Sequence, residues 1–123
     1  MTTKLKEQIK ELKIEHNYDD ARTLLNENSI DADELRALAE CNYKDLELHR
    51  DYSYPEALKF LDRIVDDNNP KETLCLRGAV YKRKWEYKAN INDLHESIKL
   101  YEKAYNSYKE DDEGYGGINA SYL

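Results

Sequence analysis

The sequence predicts an all-α fold made of antiparallel helical hairpins. Apolar residues recur at spacings of three and four, and residues that cap helices stand between these runs. Glycine and proline, which interrupt helices, number only four and two in 123 residues. Charged residues make up 37% of the chain beside 40% hydrophobic residues, a balance typical of amphipathic helices with one face in water. We expect a single domain, residues 1–123, because a chain of this length is short for two cores.

The first hairpin is predicted over about residues 4–27. Its first helix runs to about His16, and Asn17 begins a polar turn that can cap the second helix. A break at residues 28–31 separates this hairpin from a third helix that starts near Asp33. The inner faces of these three helices carry, in order, Leu5, Ile9 and Leu12; Ala21, Leu24 and Leu25; and Leu35, Leu38, Ala39 and Asn42.

The second hairpin is predicted over about residues 33–67. A loop over residues 49–54 follows its first helix. The second helix starts at Pro55, because the fixed φ and missing N–H of proline suit the first helical position, and it ends around Asp67. Its inner face carries Ala57, Leu58, Leu61 and Ile64.

The third hairpin is predicted over about residues 70–108. Asn69, Pro70 and Glu72 have the order of an N-cap, an opening proline and an acid three residues after the cap, which is a strong helix start signal. Asn92 is predicted to cap the second helix of this hairpin. The inner faces carry Leu74, Leu76, Val80, Tyr81 and Trp85, then Leu94, Ile98, Tyr101 and Ala104.

A packing pattern recurs along the chain. The fifth helix contains Leu74-x2-Arg77-Gly78-x2-Tyr81, and residues 115–123, the predicted start of a seventh helix, contain Tyr115-x2-Ile118-Asn119-x2-Tyr122. Both approximate the first-helix pattern of tetratricopeptide (TPR) repeats, W-x2-L-G-x2-Y. Second helices pair a small residue with a large one four positions later, as in Ala57-x3-Leu61 and Ser97-x3-Tyr101. Ala57 and Ser97 are 40 residues apart, so the repeat is longer than the usual period of about 34.

Residues 72–85, 97–105 and 117–123 resemble a known TPR-like domain. It is the regulatory domain called the TRAF-binding domain in stress-responsive MAP kinase kinase kinases, with relatives in bacterial repeat proteins. The resemblance implies a right-handed solenoid of about six helices plus the start of a seventh. It also implies a non-catalytic protein–protein interaction scaffold, a regulatory or assembly part of a larger signalling or defence system. Because such domains continue past the segment equivalent to residues 117–123, the resemblance implies that the chain is either a fragment or a truncated form.

Composition narrows the classes of partner and compartment. The net charge of −7 disfavours nucleic acid and anionic membrane surfaces, which require clustered Lys and Arg. No apolar run approaches the roughly 20 residues that span a bilayer, and the N-terminus lacks a signal-peptide core. Cys41 and Cys75 stand singly without metal or redox spacing, so we expect a reduced, cytoplasmic setting.

Catalytic, cofactor and metal sites are not predicted. His16, His49 and His95 are far apart and form no pattern that sets two metal ligands on one helical face, so solvated or capping histidines are the favoured interpretation. The glycine-rich residues 114–117 lack the following Lys-Ser/Thr and the preceding strand of a phosphate-binding loop. We therefore expect no enzyme activity and no cofactor.

A partner-binding groove is predicted on the first helices of the hairpins. Arg36, Tyr43, Lys44, Lys82 and Arg83 lie one turn from the packing stripes and would face the inside of a superhelix. In an otherwise acidic protein these cations could hold an acidic or C-terminal peptide through charge-assisted hydrogen bonds. An ordinary solvated charged face is the competing interpretation. A second hypothesis is self-assembly, in which the apolar end at residues 115–123 stacks on another copy as a homo-oligomer.

Overall fold

The computed structural model of the protein describes the backbone of residues 1–111 and the side chains of residues 1–106. This part of the chain is all α-helical, without a strand, which confirms the predicted fold class. The predicted seventh helix, residues 115–123, lies outside the described residues. The helices within 1–111 are α1 (Thr3–Ile14), α2 (Tyr18–Leu24), α3 (Ala32–Tyr43), α4 (Arg50–Asp62), α5 (Pro70–Lys88) and α6 (Ile91–Asp111).

The chain divides into two compact units, residues 1–68 and residues 69–123. Unit 1 holds α1 to α4, in which α1 packs on α2, α2 on α3, and α3 on α4. Unit 2 contains α5 and α6, which pack against each other along much of their length. Within each unit, helices that follow one another in the chain pack against each other.

Helix α3 is the centre of unit 1. Asp31 caps its N-terminus by accepting a hydrogen bond from the Glu34 N–H. Leu35 and Leu38 have no exposed surface, and buried Asn42 satisfies its side-chain amide by donating to the Leu38 carbonyl at 2.8 Å. The predicted inner face of this helix is confirmed. Burial extends around most of α3 because α2 and α4 both pack against it.

Helix α2 buries less of its predicted stripe than expected. Ala21 and Leu25 are buried, but Leu24 is 45% exposed, so its assignment to the inner face is wrong. The helix has only seven residues and Leu25 already has an extended backbone as its C-cap. Because Leu25 lies outside the regular helix, helical spacing does not relate its direction to that of Leu24.

Helix α4 begins five residues before the predicted start. His49 is the N-cap, its Nδ1 accepting the Asp51 N–H at 3.1 Å, and Pro55 lies inside the helix instead of opening it. Because proline has no N–H, the backbone hydrogen bond to the carbonyl of Asp51, one turn earlier, is absent. The helix ends at Asp62 rather than near Asp67.

The α5 start is confirmed and the α6 start is not. The Asn69 side chain accepts the Glu72 N–H at 3.4 Å, with Pro70 in the first turn. At the other end of α5, Ala89 has the left-handed conformation, with φ 55°, which reverses the chain at once. Asn90 then accepts the Asn92 N–H at 3.0 Å, so Asn90, not Asn92, caps α6.

Helices α5 and α6 are in close contact at Gly78. Ser97, which has no exposed surface, donates its hydroxyl hydrogen to the Gly78 carbonyl at 2.7 Å. A Cβ on Gly78 would lie 2.8 Å from Cε2 of Tyr101. The glycine of the first-helix pattern and the small and large residues of the second-helix pattern thus meet at one contact.

Candidate functional site

Two of the predicted groove residues are buried in unit 1. Arg36 is 6% exposed, and its guanidinium pairs with Asp33 and, at 2.8 Å, with Asp67. The same group donates to the Asn68 side-chain oxygen at 2.7 Å. Tyr43 is 4% exposed. The charge of Arg36 is therefore used to tie α3 to the segment after α4.

The other predicted groove residues keep part of their surface exposed. Lys44, at the end of α3, holds Glu40 at 2.7 Å. Lys82 and Arg83 lie on α5 in unit 2 and are half-buried. The groove as a single surface stays a prediction.

Helix α5 is strongly basic in a protein of net charge −7. Its 19 residues include six Lys or Arg and two Glu. The ammonium of Lys84 lies 4.9 Å from the centre of the Tyr81 ring and 3.6 Å from an Asp93 oxygen. Positive charge is thus concentrated on one helix of unit 2, where sequence reasoning placed two of its groove residues.

Two carboxyl groups of unit 1 are held in their charged form. Burial alone would raise the pKa of Asp33 and of Glu40. Hydrogen bonds from Arg36 and Lys6 to Asp33, and from Lys13 and Lys44 to Glu40, outweigh burial and hold both pKa values below the usual range. The pairs made by Lys6 and Lys13 link α1 to α3.

A cleft of about 570 Å³ opens in unit 1 between the α1–α2 turn and the end of α3. We call it the acidic cleft, and it is lined by residues 15–19 and 44–47. Of the predicted groove residues in unit 1, Lys44 lies on its wall. The other lining residues are Glu15, His16, Asn17, Tyr18, Asp19, Asp45, Leu46 and Glu47.

The first wall is built by a Schellman turn at the end of α1. The N–H of Asn17 donates to the Leu12 carbonyl at 2.8 Å, and the N–H of His16 to the Lys13 carbonyl at 3.0 Å. His16 takes the left-handed conformation, with φ 58°, that this turn normally gives to glycine. Its ring stands edge-on to Tyr18, with centroids 5.9 Å apart.

The second wall is fixed by Arg22 of α2. Its guanidinium donates to Asp45 at 2.8 Å and to the Cys41 carbonyl, also at 2.8 Å. Asp45 in turn accepts the Glu47 N–H at 3.0 Å, which shapes the loop after α3. This cleft is not predicted by the sequence patterns, although His16 at a helix end, followed by the capping residue Asn17, is a local signal of such a turn.

The described residues do not support a reactive Cys41, a metal site or a membrane-spanning helix. Burial raises the pKa of the Cys41 thiol to about 11, which makes it a poor nucleophile at neutral pH. Among residues 1–111, no group of three or more His, Cys, Asp or Glu is placed to hold a metal ion. Within the same range, no helix is both long enough and apolar enough to cross a membrane.

A family model described as Tetratricopeptide Repeats-Sensor, abbreviated TPR-S, matches residues 13–123. The chain belongs to the TPR-S family. This confirms the predicted TPR-type helical repeat, and TPR domains are in general protein-interaction modules that are typically non-catalytic. No curated protein and no solved structure matches the chain. The TPR-S match begins at residue 13 and therefore includes the acidic cleft and α5.

Proposed function

We propose that this TPR-S chain is a non-catalytic binding module whose basic helix α5 recognises an acidic peptide segment of a partner protein. The charge of α5 is the observation that carries the proposal: six Lys or Arg beside two Glu in a protein of net charge −7. Concentrated cations bind carboxylates through charge-assisted hydrogen bonds and speed association with acidic partners. Lys82 and Arg83 are the residues to which we assign this contact.

The module would act as a regulatory or assembly part of a larger signalling or defence system. The word sensor in the family name supports a role in which binding is reported to an effector. The resemblance to the TRAF-binding domain of MAP kinase kinase kinases supports the same role. We place the protein in the cytoplasm, since both of its cysteines are thiols. We further propose that residues 1–123 act as a single repeat domain.

The test is binding of fluorescein-labelled acidic peptides, followed by anisotropy at several salt concentrations. The variant Lys82→Glu with Arg83→Glu should lose binding, and affinity of the native chain should fall as salt rises. The matched control is Lys4→Glu with Lys10→Glu, which makes the same charge change at exposed positions of α1. Equal affinity of the two variants would contradict the assignment to α5.

Self-assembly through residues 115–123 is the second hypothesis, and it also stays a prediction. Sedimentation velocity over a wide concentration range measures it directly. A single monomeric species at all concentrations would rule it out.

A further inference from the structure

We propose that the acidic cleft of unit 1 is a second binding site, which takes a basic segment of a partner: a Lys or Arg side chain beside an apolar residue. The inference rests on the proposed function as a protein-binding module. It concerns a different surface and the opposite charge, since the acidic cleft lies in unit 1 and α5 in unit 2.

The charges of the cleft leave carboxylates exposed to a ligand. Asp45 is buried and bound by Arg22 at 2.8 Å, and Lys44 is bound by Glu40 at 2.7 Å, so these two charges are compensated inside unit 1. Glu15 and Glu47 are exposed at the rim, as is Asp19, which also pairs with Arg22 at 3.4 Å. A guanidinium or ammonium group entering the cleft would meet carboxylates from both walls.

The apolar contribution comes from Leu46. Its side chain is 67% exposed and lies between the buried Asp45 and the exposed Glu47. A small inorganic cation would leave this surface in water, whereas an apolar residue next to a basic one would cover it. The cleft volume of about 570 Å³ falls within the roughly 300–1,000 Å³ of typical ligand sites. The occupant that fits both features is a short basic and apolar peptide segment.

The cleft is held open before any ligand arrives. The Schellman bonds fix the end of α1, and Arg22 fixes the loop after α3 through Asp45 and the Cys41 carbonyl. A site whose walls are already ordered loses less conformational entropy on binding. Pre-organisation therefore favours a recognition site over a gap that closes in solution.

The probe is a short fluorescein-labelled peptide that alternates lysine with leucine, compared with the same peptide carrying glutamate in place of lysine. In the full chain, Glu15→Lys with Glu47→Lys should weaken binding of the basic peptide about tenfold or more, as two charge-assisted contacts are lost. The matched control, Glu7→Lys with Asp66→Lys, makes the same charge change at exposed positions of unit 1 outside the cleft.

A second pair of variants tests the apolar contact without changing charge. Leu46→Ser should weaken binding, while Ile30→Ser, at a residue 89% exposed and outside the cleft, should not. Amide chemical-shift changes on titration of the native chain should centre on residues 15–19 and 44–47. Those changes locate the peptide even where a variant alters stability.

The outcomes separate this inference from the proposed function. Equal weakening by the cleft and control variants would mean non-specific attraction to an acidic protein and would overturn the inference, as would absence of saturable binding by the native chain. The α5 variant, Lys82→Glu with Arg83→Glu, should keep the basic peptide and lose the acidic one. If it keeps both, the proposed function of α5 fails while the cleft stands.

Discussion

Replacing Gly78 by alanine should destabilise unit 2, even though alanine is the better helix former. An added Cβ would lie 2.8 and 2.9 Å from two carbons of the Tyr101 ring, closer than carbon atoms normally approach. The bond from Ser97, one turn earlier on α6, to the Gly78 carbonyl at 2.7 Å holds the two backbones at this distance, so relief would require the Tyr101 ring to leave its packing. Burial also raises the pKa of Tyr101 to about 12, in keeping with a packed ring.

The magnitude follows from two opposing effects. Overpacking a well-packed contact costs about 1–3 kcal/mol. Exchanging glycine for alanine inside a helix raises the free energy of unfolding by about 0.8–1 kcal/mol through the higher helix propensity of alanine. The free energy of unfolding of Gly78→Ala should therefore fall by about 1 kcal/mol.

Removing the ring should reverse the sign of this effect. In a Tyr101→Ala background the added Cβ has space, so Gly78→Ala should raise the free energy of unfolding by up to about 1 kcal/mol, from helix propensity alone. Urea unfolding followed by circular dichroism at 222 nm measures all four proteins of this cycle. Stabilisation by Gly78→Ala in the native background would refute the steric argument.

Three further predictions concern unit 1. His16→Gly should raise the free energy of unfolding by about 0.5–1 kcal/mol in urea titrations, because glycine relieves the backbone strain of the left-handed conformation at φ 58°. A loss of stability would mean that the contact of the His16 ring with Tyr18 contributes more than the strain costs. Ser53→Ala should raise the free energy of unfolding by about 1 kcal/mol in thermal unfolding, since the buried Ser53 hydroxyl has no hydrogen-bond partner among the described residues. A loss of stability would show that this hydroxyl does have a partner. Asp33 and Glu40 have lowered pKa values in the folded state, so both stabilise the fold. Their contribution to the free energy of unfolding is fully present above their ordinary pKa values of 3.8 and 4.5, and it is lost as the pH falls through the lower pKa values of the folded state. Denaturant unfolding at a series of pH values between 7 and about 2 should show this loss of stability. The variant Glu40→Gln should make the free energy of unfolding less dependent on pH, and the same pH dependence as the native chain would contradict the role of Glu40.

The sequence predicted helix starts well where one local rule was decisive. The predicted caps Asn17 and Asn69 each accept the N–H of the residue three positions later, a contact that needs no distant partner. The starts of α4 and α6 predicted from Pro55 and Asn92 were wrong because proline and asparagine occur at more than one position of a helix. In both cases the residue that really caps, His49 or Asn90, stands a few positions earlier.

The acidic cleft could not be predicted in the same way. It joins the α1–α2 turn to a loop about 30 residues later, and the tie between them is the bond from Arg22 to Asp45. Helical periodicity places both residues near helix ends without indicating that they meet. Arg36 shows the same limit, since its assignment to a groove ignored Asp67, 31 residues away, which holds it inside unit 1.

The net charge of −7 conceals an uneven distribution of charge along the chain. Helix α5 in unit 2 carries six Lys or Arg against two Glu, while the cleft in unit 1 has three exposed carboxylates at its rim. Because both proposed contacts include ion pairs, binding of the acidic peptide and binding of the basic peptide should each weaken as the salt concentration rises. The overall charge of this chain is therefore a poor guide to the charge of its partner, and the two surfaces have to be measured separately.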